Sequence, residues 1–166
     1  INTTQTFQST LSDAFSVCSW IKPDDGHPSF TGNLCGSASG AQDSSFSVAL
    51  STSGYLSVQY RAGSGDNVIA STNSVVFADG ATSWTHVCVN VYVDQISIIV
   101  DGVEVSLDPT ADGDMSGVTM GDFSTVANLL VGLGRADVGL YFDGPIDDFR
   151  VHNRTLTQVE IDGIYN

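Results

Sequence analysis

The 166-residue chain carries 19 acidic side chains against 5 basic ones, a formal net charge of −14, so phosphate backbones are repelled at long range and nucleic acid is disfavoured as a partner. Apolar residues make up 42% of it, enough for a full-sized core in one domain, yet no run approaches the roughly 20 consecutive apolar residues that a membrane-spanning helix needs. No basic stretch leads into an apolar one at Ile1, as expected where a secretory signal has been removed or lies upstream.

Period-two alternation puts successive side chains on opposite faces of a pleated strand. It predicts strands over residues 15–21, 46–50, 55–60, 84–93, 96–100, 129–132 and 146–152, each rich in Val, Ile, Phe or Tyr. Between them stand Pro23-Asp24-Asp25-Gly26, Ser53-Gly54, Gly63-Ser64-Gly65-Asp66, Asp79-Gly80, Asp101-Gly102 and Asp143-Gly144-Pro145, residue types that supply tight turns. Asp101-Gly102 is a hairpin signal, because both central positions of such a turn favour positive φ. Residues 37–45 read as a polar loop and 108–124 as a longer acidic one. Thr157-Gln158-Val159-Glu160 reads as a capping box, with Ile161, Ile164 and Tyr165 as the apolar face of a short helix closing one end of the fold. Many short strands and one late helix predict an all-β, antiparallel two-sheet β-sandwich. A single domain over residues 1–166 is expected.

Cys18 and Cys88 each sit mid-strand. If those strands are neighbours, a bridge closes a loop of about 70 residues and places the chain in an oxidising compartment. Otherwise both are reduced thiols packing as small hydrophobes. The odd third cysteine, Cys35, is either buried and free or paired with another chain.

Four segments in chain order carry a resemblance: Phe15-Ser16-Val17-Cys18-Ser19-Trp20-Ile21-Lys22-Pro23, Trp84-Thr85-His86-Val87-Cys88-Val89, Ile98-Ile99-Val100-Asp101-Gly102-Val103-Glu104-Val105, and the stretch from Tyr141-Phe142-Asp143-Gly144-Pro145 through Leu156. Together they resemble the laminin-G-like jelly rolls of the concanavalin A-like lectin/glucanase superfamily, with a specific similarity to pentraxins. The resemblance implies a jelly-roll sandwich, a Cys18–Cys88 disulfide and a structural, hydrogen-bonded or half-buried His86. It also implies an early strand that only residues 1–11 are left to supply, so the chain is expected to be a fragment of a longer protein.

Chemistry is sparse. The glucanase pattern needs paired glutamates on one strand face, whereas Glu104 and Glu160, the only glutamates, fall in a hairpin and a helix. Asp147 and Asp148 are adjacent and so face opposite sides of a strand, and they read as a turn or strand-end carboxylate and a partner for Arg150. His27, His86 and His152 lack zinc-ligand spacing. The aspartates read as a solvated acidic surface, with a divalent-cation role as the alternative. Set beside the pentraxin calcium site, Gln42-Asp43-Ser44 is similar to its first element, while Gly132-Leu133-Gly134-Arg135-Ala136-Asp137 keeps one carboxylate of the second. What the resemblance leaves is a single Ca2+ site at Asp43 or Asp137. Asp108-Pro109-Thr110-Ala111-Asp112-Gly113-Asp114 is a further acidic stretch, without the Glu of a helix-loop-helix calcium site. Asn2 and Asn153 match the N-glycan acceptor pattern.

The expected function is a non-catalytic extracellular binding or adhesion module, secreted or on a cell or virion surface. It takes carbohydrate or a protein partner through edge loops or the concave sheet face, with Tyr55, Tyr60, Tyr92 and Tyr141 as aromatics for stacking on sugars. The alternative is a structural subunit of an extracellular appendage, virion surface or homo-oligomer, motivated by Cys35 and lysine-poor edges.

Overall fold

The computed structural model describes residues 13–37, 45–62, 66–118, 120, 129–133 and 140–166. Its strands are β1 (Phe15–Ile21), β2 (Gly32–Ser37), β3 (Ser45–Leu50), β4 (Leu56–Ala62), β5 (Asp66–Thr72), β6 (Thr85–Val91), β7 (Ile96–Val100), β8 (Val103–Glu104), β9 (Leu107–Asp112), β10 (Leu130–Val131) and β11 (Ile146–His152), followed by one helix, α1 (Gln158–Tyr165). They form a five-stranded sheet, β11-β1-β6-β7-β8, and a six-stranded sheet, β10-β2-β3-β4-β5-β9, in which every ladder is antiparallel. This is the expected two-sheet jelly-roll sandwich.

The core follows from the alternation. Phe15, Val17 and Ile21 of β1, Val87, Val89 and Val91 of β6, and Ile96 and Ile98 of β7 face inward from one sheet. Phe46, Val48 and Leu50 of β3, Leu56, Val58 and Tyr60 of β4, and Val68 and Ala70 of β5 meet them from the other. Phe15 and Phe46 touch across the layers edge-to-face, centroids 5.0 Å apart, the arrangement their ring quadrupoles favour. Cys35 is buried in this core, and burial pushes its thiol pKa up to about 12. A thiol so placed cannot cross-link two chains, which answers the open choice at Cys35 and removes one motive for an assembly role.

A second, smaller core lies on the outer face of the five-stranded sheet. Cys18 and Cys88 stand directly opposite in the β1–β6 ladder, Cα atoms 4.0 Å apart, and are joined by a disulfide. The bridge packs with Ile99, Leu156 and Ile161, the last from α1. The helix therefore covers the outer face over the disulfide rather than closing one end of the sandwich, because its apolar residues meet the outward positions of β1, β6 and β7. Glu160 reaches back to accept the backbone N–H and the hydroxyl of Thr157, 2.9 and 3.0 Å, and pairs with Arg154 at 2.6 Å. The Arg154 guanidinium and these bonds hold the Glu160 carboxyl down to about 2. The chain leading into α1 is tied down by buried polar groups: Asn90 Nδ2 donates to the Leu156 carbonyl at 3.0 Å, and the Leu156 N–H donates to Ser16 Oγ at 3.0 Å.

The ladder between β1 and β11 shifts between Cys18 and Trp20, so that β11 holds one residue more than its partner there. Asp148 sits in this bulge at φ 48°. The bulge breaks the alternation, and Asp147 and Asp148 are both exposed instead of facing opposite sides. Asp148 pairs with Arg150 at 2.7 Å, the partner expected for it.

Candidate functional site

The loop after β1 and the segment leading into β11 are stitched together by their backbones. The Lys22 N–H donates to the Pro145 carbonyl and the Asp24 N–H to the Asp143 carbonyl, both at 3.0 Å. Asn33, at the start of β2, sends its backbone N–H and its side-chain amide to the Leu140 carbonyl, 3.3 Å each, while the Phe142 N–H reaches the Gly132 carbonyl at 3.0 Å. Two glycines permit this closeness. A Cβ on Gly32 would lie 2.9 Å from the Tyr141 carbonyl oxygen and 3.0 Å from the Phe142 Cα. Gly144, at φ 137°, lies against the Lys22 carbonyl oxygen, where a Cβ would overlap it.

Between these segments opens a cleft of about 600 Å³, walled by Pro28, Ser29 and Phe30 on one side and by Leu140, Tyr141, Phe142 and Asp143 on the other. Its size suits a small ligand. Phe142 anchors the floor in the core, whereas Phe30 and Tyr141 are 78% and 64% exposed. Two aromatic rings so open to water share one cleft. The Asp143 carboxylate is exposed and hydrogen-bonds to none of the described residues.

Of the four tyrosines expected as stacking rings, Tyr141 lies in the cleft. Tyr60 is fully buried beside Phe15 and is a core residue, because its place on β4 points between the sheets. Tyr55 and Tyr92 are half-buried, and the Tyr92 hydroxyl accepts the Asn90 amide at 3.1 Å. Phe30 gave no signal through alternation. The clue was a large apolar residue after Pro28-Ser29 in a stretch with nothing for it to pair with.

Asp43, Asp137 and Asn2 lie outside the described residues. Asn153 is exposed at the bend after β11. The acidic stretch from Asp108 begins as β9 rather than a loop, and its carboxylates serve their own backbone. Asp108 accepts the Thr110 hydroxyl at 2.7 Å and its N–H at 2.8 Å, and Asp114 accepts the Ser116 N–H at 2.7 Å; the Thr110 and Ser116 hydroxyls first, and then these backbone N–H groups, lower both acids below the ordinary carboxylate value. Among the described residues, no three His, Cys, Asp or Glu side chains converge as metal ligands would.

His86 departs from expectation in one respect. It is fully buried, yet neither ring nitrogen has a hydrogen-bond partner among the described residues. It packs instead in a ring cluster, 5.3 Å from Trp20 and 5.9 Å from Tyr165 of α1, while Trp20 and Tyr165 stack at 5.6 Å. Desolvation pushes the imidazole pKa below its ordinary 6.5, against the nearby carboxylates of Asp101 and Asp148.

Solved structures share this architecture at low sequence identity. The binding domain of botulinum neurotoxin DC, in complex with rat synaptotagmin II, superposes with a TM-score of 0.69 at 13% identity, over 98% of this chain and 38% of its own. The Trypanosoma rangeli sialidase gives 0.64 at 18% identity, over 94% of this chain and 23% of its own. The CBM40 of the Ruminococcus gnavus IT-sialidase gives 0.65 at 16% identity, over 95% of this chain and 85% of its own. The chain thus spans well under half of the first two and most of the third. No curated protein matches it significantly in sequence. Residues 1–162 match the family Laminin_G_3, and the chain belongs to the concanavalin A-like lectin/glucanases superfamily.

Proposed function

We propose that this domain is a non-catalytic, extracellular binding module that takes carbohydrate in the cleft between Phe30 and Tyr141. The observation that carries the reading is that pair of exposed rings on a stitched backbone, beside a carboxylate with no hydrogen-bond partner among the described residues. An aromatic face packs against the C–H face of a sugar ring, and a carboxylate accepts its hydroxyl protons. The disulfide supports an oxidising, extracellular setting. Two neighbours in fold add support: the R. gnavus CBM40 has been solved bound to α2,3 sialyllactose, and the botulinum neurotoxin DC binding domain in complex with SialylT. A protein partner, as in the toxin domain's complex with synaptotagmin II, is the second occupant of the same class. Catalysis is not proposed, since Glu160 is held by Arg154 and Asp148 by Arg150, which leaves neither poised for proton transfer.

A glycan array probed with the wild-type domain and with Tyr141→Ala, each with and without calcium, tests the reading. Glycan binding by the wild type that drops about tenfold in the variant, with no released reducing sugar, is expected. No glycan binding in either buffer would reject the carbohydrate reading.

A further inference from the structure

We infer that the cleft is selective for neutral sugar residues and turns away glycans that end in a carboxylate or a sulfate. The inference rests on the reading of the cleft as a carbohydrate site and adds the class of sugar that site accepts.

Charge, and what each wall group can offer, decide the preference. The described wall presents a single charged side chain, Asp143, with Phe30, Tyr141 and the Ser29 hydroxyl beside it. A carboxylate accepts hydrogen bonds and cannot donate them, so it pairs with sugar hydroxyls and repels a second carboxylate. The facing loop compounds this. Asp24 and Asp25 are both exposed, and the Asp25 carboxylate accepts the backbone N–H groups of His27 and Gly80 at 2.9 and 3.0 Å, bonds that favour its ionised form. Asp143 is the acid that lines the cleft, and the backbone bond from Asp24 to the Asp143 carbonyl at 3.0 Å brings a second acid alongside it; Lys22 on the same loop supplies one positive charge against them, on a chain of net charge −14. Neutral pyranoses need no counter-charge: their C–H faces suit the two rings and their hydroxyls suit Asp143 and Ser29. Arg135, the one cation close in sequence to the cleft's second wall, lies outside the described residues, and the test covers it.

Such a preference departs from the sialylated sugar bound by the CBM40 neighbour, although the fold is shared. Shared fold at 15% identity carries no specificity, which is set by the groups lining the site.

The test uses glycans displayed in matched sets on one core: neutral, α2,3-sialylated and sulfated. Binding of the wild-type domain is measured at about 20 and about 300 mM NaCl, a range over which the Debye length shortens several-fold. Neutral members should bind, and the acidic member of each set should bind at least about tenfold more weakly at low salt, with the gap narrowing at high salt. Asp143→Asn should narrow that gap at low salt. Phe30→Ala should weaken neutral binding without altering the melting profile. Equal or tighter binding of acidic members overturns the selectivity while leaving the carbohydrate reading in place, and loss of that acidic binding in Arg135→Ala would identify the cause. A gap that Asp143→Asn leaves unchanged also overturns the inference. Failure of every glycan to bind rejects the underlying reading along with it.

Discussion

Gly32 is placed where two strands of backbone nearly touch, and its missing side chain is what allows the cleft to be built. A methyl group there would press on the Tyr141 carbonyl and the Phe142 Cα, backbone atoms that cannot rotate away. Gly32→Ala is expected to destabilise the fold by about 1–3 kcal/mol and to weaken ligand binding together with Tyr141→Ala, checked by chemical denaturation and by glycan binding. His86 makes a different prediction. Its pKa is lowered by burial, so the unfolded chain binds the proton more readily. Stability from this group is complete above the unfolded value near 6.5 and is lost as pH falls below it. His152 shifts in the same direction, also through desolvation. His86→Phe keeps a ring between Trp20 and Tyr165 and removes the titration, so the melting temperatures of variant and wild type should diverge, in the variant's favour, as pH drops from 7 to 5. Parallel curves would reject this account. The sequence motif identified His86 as structural, yet nothing in the motif reveals that its nitrogens find no partner among the described residues, because the ring's neighbours Trp20 and Tyr165 come from β1 and α1. Phe30 was illegible for a related reason: exposure is a property of the folded surface, and periodicity reports only what is buried.

Strands with alternating β-branched and aromatic residues were readable to within a residue or two, as β1, β7 and β11 show. Those missed share a physical cause. Gly32-Asn33-Leu34-Cys35-Gly36-Ser37 of β2 lacks bulky alternation and takes its place by pairing with β3 on one side and β10 on the other. Asp66 and Asn67 open β5 with turn-type residues. Pro109 sits within β9, at the sheet's edge, where the N–H it lacks is not needed by a neighbour. Asp101-Gly102 gave the β7–β8 hairpin correctly, both residues having positive φ, 48° and 78°. The helix was legible from its capping residues, but where it docks was not, because its apolar face meets outward positions of three strands whose neighbourhood is set by topology. That docking and the disulfide are linked. Cys18→Ser with Cys88→Ser removes a cross-link spanning 70 residues and should cost up to about 4 kcal/mol, measured as a shift in the denaturation midpoint. Ile161→Ala, which empties the contact beneath α1, should cost about 2–4 kcal/mol in the same measurement.

Across the whole molecule, the acidic surplus sets behaviour that no single contact controls. With a net charge of −14 the compact state repels itself more than the expanded chain does, so raising NaCl from about 20 to about 300 mM should raise the melting temperature by a few degrees. A flat or falling response would mean that ion pairs such as Arg154–Glu160 outweigh the surplus. The sandwich itself was legible because a two-layer fold needs little beyond alternation and turns, while the identity of what it binds is written in a few loop residues that the fold leaves free to vary.

The sulfur link between β1 and β6 also fixes how the molecule comes apart once its chain is cut. Strands β2 to β5 all lie between Cys18 and Cys88 in sequence, and they supply four of the six strands of the opposite sheet. One proteolytic nick anywhere in that interval leaves a two-piece molecule still covalently whole, migrating as a single band until a reductant separates the fragments. Digestion of the native domain should therefore look harmless on a non-reducing gel when the damage has already been done.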